Sequence, residues 1–215
     1  MKHKILKLIS RKKTSSFRVV LLGSPGVGKT ALIVRCLSNQ FFNNYVRGKQ
    51  EAYRYKVTVG TKKIQLEIMD SNGKNDALIS YADSVILVYS VTNKDSFENV
   101  KNLIQKVRAL NLNDIPIAVV ANKIDQCKQR EVSAKDRLSL SAEYGVEVFE
   151  RSAAIPTEDL KSILVEMCKQ SQFEKRKISR SFMAADTKSN GYQKYLNSRS
   201  KSYSALDSIK ILSDY

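Results

Sequence analysis

Residues 17–30 read FRVVLLGSPGVGKT, and this stretch decides the fold. Apart from Arg18, its first part, FRVVLL, is an apolar run, which predicts a strand that is buried on both faces of a sheet. Its second part, GSPGVGKT at 23–30, matches the phosphate-loop pattern of a glycine, four residues, a glycine, a lysine and a hydroxyl residue. The apolar residues between Ala31 and Leu37 then predict a helix. The order of strand, glycine-bearing loop and helix indicates a phosphate-binding loop rather than an incidental turn.

Each part of this loop has a chemical task. Gly26 and Gly28 can adopt backbone angles that are closed to other residues, so that consecutive amides point inward around a phosphate. Lys29 supplies positive charge to the outer phosphates and is therefore a candidate catalytic residue. Thr30 offers its hydroxyl to Mg²⁺, and the helix that begins there directs the positive end of its dipole at the same phosphates. We predict that the loop and the first helical residue bind nucleotide: Gly23, Ser24, Pro25, Gly26, Val27, Gly28, Lys29, Thr30 and Ala31.

The string NKID at 122–125 indicates which base the nucleotide carries. It follows the apolar run IPIAVVA at 115–121, so it lies at the carboxyl end of a strand, where parallel sheets bind ligands. The Asp125 carboxylate can accept hydrogen bonds from N1 and the exocyclic amino group of guanine, a pair of donors that adenine does not offer. Asn122 can bond the other edge of the base, and the Lys123 stem can cover it. Alone, this string also fits a polar turn; beside the phosphate loop it favours guanine and disfavours a kinase or an ATPase.

The rest of the chain alternates between strand-like and helix-like segments. Gly60 and Thr61 separate two strand-like runs as a hairpin turn does, which adds one antiparallel edge strand. The pattern predicts an α/β fold with a doubly wound, mostly parallel six-stranded sheet and helices on both faces. The further strand-like runs lie at 53–59, 63–69, 84–90, 115–121 and 146–150, and the further helix-like segments at 96–110, 133–143 and 157–169.

In order along the chain, GSPGVGKT, DSNG at 70–73, NKID and SAA at 152–154 resemble the motifs of Ras superfamily small GTPases, which have a P-loop NTPase fold. The resemblance covers roughly residues 17–170 and implies that GTP or GDP binds with Mg²⁺. It further implies that Asp70 lies near the metal through water and that the Gly73 amide contacts the terminal phosphate, which makes Gly73 the second candidate catalytic residue. The candidate site residues that follow from the later motifs are Asp70, Gly73, Asn122, Lys123, Asp125, Ser152, Ala153 and Ala154.

Two features of that family concern the guanine base itself. The resemblance implies that the Ala153 amide contacts guanine and that Phe41 packs on the guanine ring. Ordinary core packing is an equal alternative for Phe41. We expect a monomer whose partners are guanine nucleotide and effector and regulator proteins.

The chain also departs from the family at positions that matter for catalysis. The first switch loop, YVRGKQEAY at 45–53, contains no threonine, and Gly48 stands near the position where the family binds Mg²⁺ with one. Lys74 follows Gly73 where most members carry a glutamine that orients the attacking water, and lysine cannot accept a hydrogen bond from water. Pro25 removes an amide donor from the loop. The segment 74–81 is shorter than the usual second switch, which leaves little room for a helix, and slow hydrolysis is the expectation.

The formal net charge of +16 lies mainly at the ends of the chain. Residues 1–18 hold seven Lys or Arg and no acid, and residues 171–215 hold nine basic against four acidic residues. We divide the chain into a basic extension at 1–16, a Ras-like domain at 17–170, and a basic, serine-rich tail at 171–215 that is expected to be disordered. Such ends attract anionic lipid or nucleic acid, and charge alone does not choose between the two.

The cysteines, the two ends of the chain and the single histidine limit where the protein is expected to act and what chemistry it can perform. Three scattered cysteines without a CxxC pair favour a reducing, cytoplasmic setting, with the inner face of the plasma membrane and the nucleus as further locations. Lys2 and the absence of a C-terminal cysteine predict that any membrane contact is electrostatic and reversible. The only histidine is His3, which argues against histidine-based catalysis. Two alternatives to a GTP-dependent switch stay open: a pseudo-GTPase that holds nucleotide as a scaffold, and a basic-tailed protein associated with nucleic acid, the latter less favoured.

Overall fold

A computed structural model describes residues 16–38, 52–110, 115–155 and 160–185, with side chains as far as Gln172 apart from Ser38. These residues form six strands and five α-helices, with one short 3₁₀ turn at Cys127–Gln129. The strands are β1 Phe17–Leu22, β2 Ala52–Val59, β3 Lys62–Ser71, β4 Ser84–Ser90, β5 Ile117–Asn122 and β6 Glu147–Glu150. The helices are α1 Lys29–Ser38, α2 Asp76–Tyr81, α3 Lys94–Leu110, α4 Ala134–Tyr144 and α5 Leu160–Ala185.

The six strands form a single sheet in the order β2-β3-β1-β4-β5-β6. β2 pairs antiparallel with β3 through the hairpin at Gly60, and every other pairing is parallel. The predicted α/β fold, with a mostly parallel six-stranded sheet and one antiparallel edge strand, is therefore confirmed.

Both faces of the sheet are buried, because the side chains of each central strand alternate between two hydrophobic layers. In β1, Val19 and Leu21 pack in one layer while Val20 and Leu22 pack in the other. The first layer is covered by α1 and α5, and the second by α2, α3 and α4. The predicted helices on both faces are thus present, and two separate cores hold the sheet between them.

Residues 74–81, compared above with the family's second switch, include a short helix where little room for one was expected. The side chain of Asn75 accepts a hydrogen bond from the Leu78 amide at 3.2 Å and so caps the first turn of α2. Asp76 adds a negative charge at the positive end of this helix. A capped helix of six residues therefore fits into this shortened segment, so the expectation that little room is left for a helix was wrong.

The last helix extends beyond its predicted end. It was expected to stop at Lys169, with loss of regular structure from Ser171, but α5 continues to Ala185. Eight of the fifteen added residues 171–185 are Lys, Arg, Glu, Gln or Ala, whose unbranched or small side chains lose little freedom in a helix. The division of the chain into three regions stays a prediction, because residues 1–15 and 186–215 lie outside the described part. Within that part, no helix has the length and apolar character that crossing a bilayer requires.

The capping box at the start of α4 was predicted from the sequence and is present. Ser133 Oγ accepts from the Asp136 amide at 3.1 Å, and the Asp136 carboxylate accepts from the Ser133 amide at 2.9 Å. Since an alanine at this position leaves helical amides without a side-chain partner, we expect Ser133→Ala to lower the free energy of unfolding by about 1 kcal/mol. Urea denaturation measures this, with the exposed Ser139→Ala on the same helix as control. A loss no greater than that of the control would contradict the role given to the cap.

Candidate functional site

Four chain segments meet at the carboxyl edge of the sheet. The loop after β1 carries the phosphate-loop pattern, and the last residues of β3 begin DSNG. The end of β5 begins NKID, and SAA follows β6. From β1 the chain leaves toward one face of the sheet, whereas from its neighbours β3 and β4 it leaves toward the other. The loop after β1 thus lies at a topological switch point, which is where open α/β sheets bind ligands.

Lys29 lies inside the phosphate loop rather than on its surface. Its Nζ donates to the carbonyl oxygens of Gly23 at 2.9 Å and Ser24 at 3.1 Å. It also lies 3.9 Å from Asp70 Oδ1. Burial lowers the pKa of Lys29 from its ordinary value, and the charge of Asp70 opposes that shift. A buried cation whose partners are mostly neutral carbonyls is available to anionic phosphate oxygens.

Thr30 and Asp70, the two predicted metal residues, are in direct contact. The Thr30 hydroxyl donates to Asp70 Oδ2, while the other carboxylate oxygen faces Lys29. A hydroxyl and a carboxylate are the hard oxygen ligands that Mg²⁺ prefers. In the described residues no group of three or more His, Cys, Asp or Glu could hold a metal ion. The Thr30 hydroxyl and the Asp70 carboxylate fit Mg²⁺, which commonly takes one or two protein ligands and completes its shell with phosphate and water.

Asn122 joins the phosphate loop to the SAA loop after β6. It is almost fully buried, its Nδ2 donates to Val27 O at 2.8 Å, and its Oδ1 accepts from the Ala153 amide at 3.2 Å. A Cβ on Gly28, whose φ is +95°, would lie 2.4 Å from Asn122 Nδ2, so glycine is required for this contact. Asn122 and the Ala153 amide were predicted to bond guanine directly; here they bond each other and hold the loops together. Their contact with the base stays a prediction.

Asp125 is held by a serine that the sequence placed only as part of the SAA motif. Ser152 Oγ donates to Asp125 Oδ1 at 2.5 Å and itself accepts from the amides of Ala154 at 3.0 Å and Ile155 at 3.4 Å. Ser152 is buried whereas Asp125 is exposed. The turn therefore orients the serine, and the serine orients a carboxylate that still has an open side toward a ligand.

Lys123, which lies between Asn122 and Asp125, has a φ of +66°. It is the one non-glycine residue with positive φ in the described part of the chain. A left-handed backbone at such a residue costs energy and is found mainly at functional sites, where the surrounding structure holds it in place.

Gly73 is held by residues that the sequence analysis did not single out. Its amide donates to Ser71 Oγ at 3.3 Å, and its carbonyl accepts from Lys106 Nζ at 2.9 Å. Leu103 Cδ2 lies 2.7 Å from the position that a Cβ on Gly73 would occupy. A third residue of α3, Asn99, donates to Ser24 Oγ at 3.1 Å. From the sequence, the spacing of Asn99, Leu103 and Lys106 predicts that they share one face of a helix. It does not predict which loops that face contacts.

The remaining residues that the sequence analysis singled out lie in different places. Ala31 packs in the core with α5, Pro25 and Gly26 are exposed at the tip of the loop, and Lys74 is exposed beside Gly73. Phe41 and Gly48 lie outside the described residues, as does most of the first switch loop.

Comparison with known proteins agrees with this arrangement. Residues 18–173 match the model of the Ras family. The Ras-related protein Rab-21 of Bos taurus is 35% identical over 165 residues, which cover 74% of each chain. Its human counterpart is 36% identical over 162 residues, which cover 72% of each. The human Ras-related and estrogen-regulated growth inhibitor is 28% identical over 166 residues, 74% of this chain and 82% of the relative.

The family match covers the sheet apart from Phe17, all four loops at its carboxyl edge and the first half of α5. The chain therefore belongs to the Ras family of small GTPases.

Proposed function

We propose that this small GTPase is a signalling switch that binds GDP or GTP with Mg²⁺ and hydrolyses GTP slowly. One observation carries the proposal: Asn122 links Val27 in the phosphate loop to Ala153, which lies next to the serine that orients Asp125. A phosphate-binding part and a base-selecting part are thus set at a fixed separation, as a ligand that carries both groups requires.

The roles of the side chains follow from their contacts. Lys29 places positive charge beside the outer phosphates, and Thr30 with Asp70 would hold Mg²⁺ between the loop and the end of β3. When bound, the metal would neutralise phosphate charge. Asp125 would accept the two guanine donors on its open side while Ser152 occupies Oδ1 from the other side. A purine without those donors would leave the carboxylate without hydrogen-bond partners and would bind more weakly.

Slow hydrolysis is proposed from the residue that follows Gly73. Lys74 is exposed, its amide donates to Asn72 Oδ1 at 3.1 Å, and its side chain has no acceptor for a water proton. Phosphoryl transfer depends mainly on positioning and electrostatics, so a water that Lys74 does not orient attacks the terminal phosphate less often.

Lys74→Gln is expected to raise the single-turnover rate of GTP hydrolysis by about tenfold, since glutamine can both accept from and donate to the attacking water. Release of phosphate from preloaded GTP measures the rate. Lys128→Gln, a change of the same kind in the 3₁₀ turn, is the control. A wild-type rate that already equals that of Lys74→Gln would refute the explanation for slow turnover.

One alternative is a pseudo-GTPase that holds nucleotide without switching, and the contacts of Gly73 bear on it. The Gly73 amide, which is expected to contact the terminal phosphate, already donates to Ser71 Oγ. The Gly73 carbonyl oxygen accepts from Lys106 Nζ. A protein that never changes its second switch would show equal protease sensitivity with GDP and with GTP. A switch would show different protease sensitivity with the two nucleotides.

We also propose effector and regulator proteins as partners and a cytoplasmic location with reversible contact with anionic membranes through the basic ends. Salt would weaken that contact, since it depends on the charge of the lysines and arginines. Vesicle sedimentation with anionic and neutral lipid, at low and high salt, distinguishes it from apolar insertion.

Titration of the purified protein with fluorescent GDP and a non-hydrolysable GTP analogue tests the proposed function. We expect saturable binding of both that weakens when EDTA removes Mg²⁺. A folded protein that binds neither nucleotide at millimolar concentration would overturn the proposal.

A further inference from the structure

Lys106, on the face of α3 that packs against the second switch, makes two contacts with that segment. Its Nζ donates to the carbonyl oxygen of Gly73 at 2.9 Å and lies 2.5 Å from Asp76 Oδ1 at the start of α2. One ammonium group therefore joins the DSNG loop, the first turn of α2 and the middle of α3.

The neighbours of Gly73 restrict it further. Leu103, one turn before Lys106 on the same helix, is buried against the α-carbon of Gly73, and the Gly73 amide donates to Ser71 Oγ at 3.3 Å. The amide can donate to a phosphate oxygen only after it leaves Ser71. The amide and the carbonyl of Gly73 lie in two adjacent peptide units that share its α-carbon, so a shift of that α-carbon toward a phosphate would break both the contact with Ser71 and the contact with Lys106.

The opposite end of α2 is held as well. The Arg18 guanidinium lies 3.9 Å from the ring centroid of Tyr81, and Arg18 itself is buried in an ion pair with Asp83 at 2.8 Å. Because α2 spans only Asp76–Tyr81, contacts at its two ends leave little freedom between them. Arg18 and Lys106 thus hold the two ends of α2. The Lys106 side chain is partly exposed whereas Arg18 is buried, so the Lys106 contacts can break without disturbing the core.

We propose that Lys106 is a positioning residue that holds Gly73 on Ser71 and so opposes the triphosphate-bound arrangement of the second switch. This inference rests on the proposed binding of GDP and GTP, and it deepens that function by naming what sets the preference between them. The cation acts as a latch from α3: it stabilises the arrangement in which the Gly73 amide is turned away from the nucleotide.

The test is the ratio of affinities for a non-hydrolysable GTP analogue and GDP in Lys106→Met. A hydrogen bond from a charged donor changes an equilibrium by about tenfold, so we expect the variant to shift the ratio about tenfold toward the triphosphate. Asp76→Asn removes the other half of the contact and should shift the ratio in the same direction by less. Lys101→Met, which alters a lysine paired with Glu98 within the same helix, is the matched control and should leave the ratio unchanged.

Hydrogen exchange of the amides from 72 to 78 gives a second readout, and it should accelerate in Lys106→Met but not in Lys101→Met. A general loss of stability would lower both affinities and leave their ratio alone, so the ratio separates positioning from folding. An unchanged ratio in Lys106→Met, or an equal shift in Lys101→Met, would overturn the role of Lys106 while leaving the proposed function standing. A wild-type protein that binds neither nucleotide would overturn both.

Discussion

Asp125→Asn is expected to lower the affinity for GDP by about a hundredfold or more. The carboxylate can accept two hydrogen bonds from guanine, and hydrogen bonds to a charged group contribute about 1.5–3 kcal/mol each. An asparagine accepts at most one of them and turns its own amide donor toward a guanine donor. Since about 1.4 kcal/mol corresponds to a factor of ten, losing this pair costs about two orders of magnitude.

A comparison of GDP with a nucleotide that carries a different base tests whether Asp125→Asn lowers affinity through its contact with guanine. Inosine diphosphate lacks the exocyclic amino group, so the wild-type protein should bind it at least about tenfold more weakly than GDP. In Asp125→Asn that difference should largely vanish. Competition titrations with both nucleotides measure it, and Asp95→Asn on α3, an exposed aspartate far from NKID in the chain, serves as control. A variant that still distinguishes GDP from inosine diphosphate as the wild type does would contradict the role of Asp125.

Lys29→Met is expected to lower the affinity for GDP and GTP by about two to three orders of magnitude. Truncating one partner of a buried, hydrogen-bonded charge pair costs about 2–5 kcal/mol, and methionine keeps the length of the stem while it removes the ammonium group. Unlike Asp125→Asn, this change should weaken GDP and inosine diphosphate equally, because the lysine acts on the phosphates. Isothermal titration measures both affinities, with the exposed Lys135→Met on α4 as control.

Lys29→Met should not lower the stability of the nucleotide-free protein, although it lowers nucleotide affinity. Burial lowers the pKa of Lys29 in the folded chain below its value in the unfolded chain. The unfolded state therefore binds the proton more readily, and near pH 7 the charged lysine opposes folding. Urea unfolding in EDTA should give Lys29→Met a free energy of unfolding no lower than that of the wild type. A variant that loses nucleotide affinity because it unfolds would contradict the assignment.

The fold and the phosphate loop could be predicted from the sequence because their signals are local. The short run FRVVLL, followed at once by a glycine-bearing loop, favours a buried strand, and GSPGVGKT carries its glycines, lysine and threonine within one continuous stretch, 23–30. The capping box at Ser133 and the hairpin at Gly60 are local in the same sense. These elements appear in the structure within a few residues of their predicted bounds.

The contacts that organise the site could not be predicted in this way, since they join residues far apart in the chain. Asn122 and Val27 are 95 positions apart, and Lys106 and Gly73 are 33 positions apart. The NKID motif predicted that Asn122 contacts the base. In the fold, its side-chain amide donates to Val27 O and accepts from the Ala153 amide, and so links two loops. The length of α5 was missed for another reason: fading apolar periodicity indicates the loss of a buried face and does not indicate the end of a helix.

Displacement of fluorescent GDP from the wild-type protein by unlabelled GDP and by ADP tests the central claim most directly, because the two competitors share their phosphates and differ in the base. If the phosphate loop and the Asp125 loop form one site, GDP displaces the probe at stoichiometric concentrations, and ADP fails to do so at a hundredfold excess. Equal displacement by both nucleotides would show that the phosphates bind without selection of the base, and the assignment of a guanine-specific site would be wrong.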